Sequence, residues 1–254
     1  MEERKNREME VSRTAFQGIK NIIRFNWHFY VIAAVSILLL IAISQFLSGI
    51  LVYFIYATIG FTMLGILASL AVSYYVYDYS DLYQLHWIEK ENPKQILSVN
   101  AGFDETSDLI KNKKPNTTLS IIDFYNPNKH TEVSIKRARE RYPSPKETIS
   151  VETDKLPFSD KRFDLILCVL SANEIRDQRE RTRFFKELSR VLATEGKLMV
   201  TEHLRDTNNF LAFQIGFFHF YSKANWTTVF EEAGLKMKEL HKNNPFISTF
   251  ILTH

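Results

Sequence analysis

No Asp, Glu, Lys or Arg occurs between residues 26 and 77. Elsewhere roughly one residue in three is charged. A helix needs about 20 apolar residues to cross the hydrocarbon of a bilayer. The run is long enough to cross twice, with Ser48-Gly49 as the turn, so spans are expected over residues 27–47 and 51–75. Both stretches are apolar on every face, which argues against the alternative of a buried core hairpin. A cleaved signal peptide fits poorly, because its apolar core is only about 7–15 residues long.

Trp27, Phe29 and Tyr30 mark one boundary, while Tyr74, Tyr75, Tyr77, Tyr79, Tyr83 and Trp87 crowd the other, as polar-tipped aromatics do at headgroups. Residues 1–25 hold six basic side chains and four acidic ones, and the turn holds none. The positive-inside rule then puts the N-terminal tail in the cytoplasm, and two crossings return the following domain to that side. No ionisable group lies within the spans, so the hairpin reads as an anchor rather than a pore or relay. The expected partner is the lipid bilayer, and the expected location a cell (inner) membrane.

Beyond the tail, 26 basic residues face 25 acidic ones, a balance that offers nucleic acid no basic surface. Cys168 is the sole cysteine, which excludes an internal disulfide and a Cys-rich zinc site. The organisation expected is a charged tail over 1–25, a hairpin over 26–77, a linking amphipathic segment over 78–94 and one domain over 95–254.

In that domain short β runs alternate with amphipathic helices. Strands are expected at 95–99, 119–123, 163–170, 197–202, 235–241 and 247–252, and helices at 105–111, 131–142, 177–192 and 224–233. Alternation with buried parallel strands implies a doubly wound α/β sheet. The last two strands, close together, would form an antiparallel pair at its edge, an unusual ending for such a sheet.

Three stretches carry a family resemblance. LPFSDKRFDLILCVLSANEI (156–175) has a Leu-Pro-Phe, then a Phe-Asp opening an apolar strand. FFKELSRVLATEGKLMVTEHLRD (184–206) has a helix ending in Arg-Val-Leu, a Gly turn and a strand carrying Glu-His. GFFHFYSKANWTTVFEEAGL (216–235) supplies a last helix and the loop before it. From Gln95 onward the chain resembles class I S-adenosylmethionine (SAM) dependent methyltransferases of the type 11 kind. The resemblance implies a Rossmann-like seven-stranded sheet and SAM as cofactor; separately, no metal is expected. It places Ser98, Asn100 and Gly102 in the cofactor loop, Asp123 on the ribose, Glu152 and Thr153 near adenine, and Cys168 and Val169 beside the sulfonium. The loop departs from the family's acid and Gly-x-Gly-x-Gly: Ser98 replaces the acid, Asn100 and Asp104 replace two glycines, and Gly102 remains. Asp123 could instead cap a helix or turn, and Glu152 and Thr153 could form an exposed loop pair. The motif of an Asn, two prolines and an aromatic, which marks methylation of planar nitrogens, is absent.

Methyl transfer is an in-line displacement, which needs alignment, exclusion of water and, for some acceptors, a base. His203, Asn173 and Glu174 lie after the fourth and fifth strands, where ligands bind in open α/β sheets; His219 is a further candidate. His203 follows a strand directly and titrates near neutrality, although a structural histidine fits its position equally. The aromatics Phe210, Phe213, Phe217, Phe218, Phe220 and Tyr221 suggest a lid over an apolar or lipid-like acceptor, or ordinary packing on the sheet. Two functions therefore stand: a membrane-anchored methyltransferase, or a catalytically degenerate binding or scaffold module of the same fold.

Overall fold

The computed structural model describes residues 13–129 and 132–254. A short amphipathic helix α1 (Gln17–Phe25) leads into two apolar helices, α2 (Trp27–Ser44) and α3 (Ile50–Tyr74). Both are long and apolar enough to cross a membrane, and almost none of their length is covered by protein. The turn between them runs through Gly49 at positive φ. A π-helical turn (Tyr75–Tyr79) and two 3-10 turns (Asp81–Gln84, His86–Ile88) then lead into the sheet.

The α/β part follows as β1 (Gln95–Asn100), α4 (Ser107–Lys113), β2 (Thr118–Asp123), α5 (Val133–Arg141), β3 (Ile149–Ser150) and β4 (Phe163–Val169). Then come α6 (Gln178–Val191), β5 (Leu192–His203), α7 (Thr207–Phe213), a 3-10 stretch (Gln214–His219), α8 (Lys223–Glu232), β6 (Lys236–Lys242) and β7 (Ile247–Thr253). Asp177, Asp206 and Ser222 start α6, α7 and α8 by accepting from the backbone N–H three residues on, which satisfies donors the first helical turn leaves open.

One seven-stranded sheet forms, in the order β3-β2-β1-β4-β5-β7-β6. β1 to β5 are parallel, and β7 inserts antiparallel between β5 and β6. The expected antiparallel pair is thus present. The chain reverses beside β1, so β1 and β4 open a crevice at their carboxyl ends, where such sheets bind ligands. β3, only two residues long, carries no periodic signal. The helix expected over 131–142 is seen as α5, while Thr131 lies outside the described residues.

Alternate residues of each strand feed two cores, as the two-residue period requires. Leu97, Val99, Ile122, Ile166, Cys168, Leu198, Val200 and Phe250 pack under α6 and α8, against Phe184, Phe185, Trp226 and Phe230. Ile96, Leu165, Leu167 and Met199 face the other way, where Ile110 of α4 covers them together with Leu85 and Ile88. Val76 and Leu82 pack on Ile247. The segment after the second apolar helix is therefore part of the domain's packing.

α1 is docked onto the end of α3. Asp78 accepts from the N–H groups of Gly18 and Ile19 at 2.7 and 2.8 Å, capping the first turn of α1. A Cβ on Gly18 would lie 2.4 Å from Tyr77 Cβ, so only glycine permits this approach.

Candidate active site

A cleft of about 230 Å³ lies at the carboxyl ends of β1 and β4. Its floor is Asn100, Ala101, Phe103, Val169, Leu170 and Glu174. Its roof is α1, through Gly18, Asn21, Ile22 and Phe25, together with Tyr77 and Tyr83. α1 is held down by Tyr142 Oη–H donating to Asn21 Oδ1 at 3.0 Å, and by Arg13 paired with Glu105 at 2.8 Å. Tyr83 donates to the other oxygen of Glu105 at 2.7 Å.

The cofactor loop is built differently from a glycine-rich one. Asp104 Oδ1 accepts from the N–H groups of Thr106 and Ser107 and so starts α4; its other oxygen has no partner among the described residues. Burial pushes its carboxyl up from the usual carboxylate range. Ser98 is buried and accepts from Ser107 Oγ at 2.9 Å. Gly102 keeps positive φ, and a Cβ there would meet the Tyr125 ring at 2.8 Å. Asn100 Nδ2 is buried without a partner among the described residues, as are Asn21 Nδ2 and Asn173 Oδ1.

Asp123 closes β2, but its carboxylate is engaged. Oδ1 accepts from Gly102 N–H and Tyr125 N–H at 2.8 and 2.9 Å, and Oδ2 is paired with Arg139. Arg139 also stacks over Tyr125. Arg139 and Tyr125 thus cover the carboxylate that the resemblance assigns to the ribose, Asp123 does not line the cleft, and the cleft is smaller than the ~300 Å³ at which small-molecule pockets usually begin. Thr153 is buried and donates to Glu180, and Glu152 bridges to Lys155; neither lines the cleft. Cys168 is fully buried in the sheet's core, where burial pushes its thiol up. Val169 lines the cleft.

At the acceptor end Glu174 lines the cleft, and burial, with Glu132 nearby, pushes its carboxyl up to about 7. Asn173 is buried, and its N–H donates to Glu202 at 3.1 Å. Burial pushes Glu202 up to about 8. His203 is buried and depressed to about 4, chiefly by burial. Asn209 donates its amide hydrogens to Asp206 and Phe246, so its Oδ1 accepts from His203 Nδ1 at 2.9 Å. His203 Nε2 is left to accept from Tyr77 Oη at 2.9 Å. Phe220 stacks on the imidazole and Phe213 meets it edge-on. The histidine is thus neutral and aimed at Tyr77, and it is Tyr77 that reaches the cleft.

Tyr77, Asn21, Glu105 and Arg139 were not singled out from the sequence. Tyr77 stands in a row of interfacial tyrosines, and Arg139 in a helix full of basic residues, so neither position advertises a site. Glu132, Glu174 and His219 bring ligand atoms within 4.8 Å of one another. Arg176 is paired with Glu132 in the same cluster, which supplies the positive charge a cation would bring.

The strand order, the antiparallel seventh strand and the crevice between β1 and β4 define the class I methyltransferase fold. Residues 129–200 match the family described as "Methyltransferase domain". A SAM-dependent methyltransferase from Aquifex aeolicus aligns at a TM-score of 0.50 and 17% identity, over 68% of this chain and 89% of that one. An O-methyltransferase of neocarzinostatin biosynthesis, solved with SAM and 2-hydroxy-5-methyl naphthoic acid, aligns at 0.47 and 13%, over 77% of this chain and 57% of its own. A SAM-dependent methyltransferase from Clostridium acetobutylicum aligns at 0.45 and 11%, over 63% and 83%. At these identities the likeness concerns the fold. No curated protein matches the chain.

Proposed function

We propose that the chain is a membrane-anchored SAM-dependent methyltransferase acting on an apolar or lipid-like acceptor at the cytoplasmic face of the membrane. The observation that carries this reading is the roofed cleft at the ends of β1 and β4, with unpartnered amide groups at one end and Glu174 at the other. The residues fit the cofactor at its amino-acid end, where Asn100 and Asn21 offer buried, unpaired donors to its polar groups. At the ribose end they fit once Arg139 swings off Asp123, and the Arg139 side chain is about one-third exposed.

Bound SAM supplies an already activated methyl group. The chain's own residues then have three tasks. Asn100, and Asp123 once Arg139 has moved, would hold the cofactor, and α1 with Tyr83 and Phe103 would exclude water. Glu174, pushed up to about 7, takes a proton from the acceptor near neutral pH, where such a group works best. Tyr77 orients the acceptor through its hydroxyl; His203 is a positioning residue that holds the phenol in place. Calorimetric titration of the full chain with SAM tests the reading: saturable binding is expected, and its absence in wild type and in Arg139→Ala would defeat it.

The engaged Asp123 favours a second reading. Tyr125 and Ile135 pack on Gly102, and Arg139 neutralises the ribose-binding acid. A methyltransferase fold so closed can serve as a tethered binding module. The same titration separates the two.

A further inference from the structure

Among the described residues outside α1 to α3, residues 207–219 carry the densest group of exposed apolar side chains. Phe210 and Leu211 are exposed, Phe218 is 67% exposed and Ile215 is 85% exposed. No Asp, Glu, Lys or Arg occurs in the segment. Contiguous apolar surface of this kind marks an interaction site.

The segment's position says what covers it. α7 packs alongside α3, and a Cβ on Gly65 would lie 3.1 Å from Gln214 Oε1. α3 has 25 residues and its antiparallel partner α2 has 18, so α3 outruns it by roughly 10 Å at 1.5 Å per residue. Counting back from their shared turn puts Gly65 about level with Phe29, just inside the span. The segment thus meets α3 where the apolar hairpin begins.

Several of its polar groups are satisfied from within the chain. Gln214 Nε2 donates to Leu211 O and Ala212 O at 2.8 and 3.1 Å. Arg205 donates to Phe218 O and Arg176 to His219 O, each at 2.7 Å. Backbone carbonyls entering lipid need such partners. Arg205 and Lys223 bracket the segment in sequence, as basic residues do beside an interfacial element.

We infer that residues 207–219 are a membrane-immersed element, with Phe210, Leu211, Ile215 and Phe218 seated at the boundary of headgroups and acyl chains. The inference rests on the reading of α2 and α3 as membrane spans. The inner side of the same segment presents Phe213 to His203. The element that meets lipid therefore also buttresses the Tyr77–His203 pair at the acceptor end of the cleft, as an acceptor dissolved in the bilayer would require.

The test uses the full chain in lipid nanodiscs with an environment-sensitive fluorophore on one introduced cysteine; native Cys168 is fully buried and stays unlabelled. Ile215→Cys is compared with Leu39→Cys in mid-span and Lys238→Cys on β6. Expected at Ile215 are a blue-shifted emission, strong loss of signal with lipids spin-labelled near the headgroup, and protection from aqueous iodide. Leu39 should respond to a deep lipid label, and Lys238 to iodide alone. Iodide quenching at Ile215 with lipid quenching at Leu39 overturns the inference and leaves the anchor standing. Iodide quenching at both sites removes the anchor and the inference together. Shielding of Ile215 from both quenchers would mean a protein cover, such as a second copy, and would also overturn it.

Discussion

Asp123 illustrates how one side chain's partners set its expected behaviour. From the sequence it should point into the cleft and matter little for stability. The structure has it accepting from Gly102, Tyr125 and Arg139, so it holds the cofactor loop together. Asp123→Ala should therefore lower both stability and SAM affinity, the latter by about 10- to 100-fold for a lost charge-assisted bond of about 1.5–3 kcal/mol. Arg139→Ala should instead tighten SAM binding, because it frees the carboxylate, while also lowering stability; calorimetry on the pair checks the opposite signs in affinity. The loop itself resists restoration. Ser98→Glu would bury a charge where Ser107 now donates, and Asp104→Gly would remove the oxygen that starts α4, at a further cost of a few tenths of a kcal/mol. The double variant should melt earlier than wild type with no gain in affinity. Glu202 brings a pH dependence. It binds its proton more tightly folded than unfolded, so its stabilising effect is complete below about pH 4.5 and is lost as pH rises through about 8. Buried neutral His203 acts oppositely below about 6.5. Comparing Glu202→Gln with wild type in denaturant series from pH 5 to 9 isolates the first effect: the variant should gain relative stability as pH rises.

At the level of elements, the placement of α1 is what turns an open crevice into a site. It rests on Gly18, whose missing Cβ admits Tyr77, and on the Asp78 cap. Gly18→Val should push α1 outward, cost about 1–3 kcal/mol by overpacking and speed SAM release, which stopped-flow displacement would read; unchanged release would mean that α1 is not a roof. None of this was legible beforehand, because α1 is short and its partners lie about 60 residues away in sequence. The strands were legible, since β1 and β4 are buried on both faces and read as apolar runs bounded by turns, and β2 is buried over its last three residues. β5 begins five residues earlier than its expected start at 197, because Leu192 pairs with Phe163 across a register shift. The candidate site splits the same way. Gly102 came from the family resemblance, and Asp123 and Glu174 from their places after strands, whereas Tyr77 and Arg139 are candidates through contacts that no local pattern encodes.

For the molecule as a whole, the hairpin and the domain constrain each other. On the proposed reading of the hairpin as an anchor, the charge rule would place the N-terminal tail in the cytoplasm through its basic residues. The structure adds a constraint separate from the charge rule: Asn21 accepts from Tyr142 and Arg137 donates to Phe25 O, beside the Arg13–Glu105 pair. The segment before α2 and the domain after α3 therefore touch, and must lie on one side of any membrane between them. If α2 and α3 cross a membrane, they must then cross as a pair, with the Gly49 turn on the far side. Reporters fused before Met1 and after His254 should give the same topology, and one inserted at Ser48-Gly49 the opposite. Neutralising the tail's basic residues should weaken this preference without splitting the termini, because the Asn21 and Phe25 contacts remain. Termini on opposite sides would rule out the paired crossing, and with it the docking of α1 over the cleft, since a roof formed by residues before one span cannot reach a domain across the bilayer.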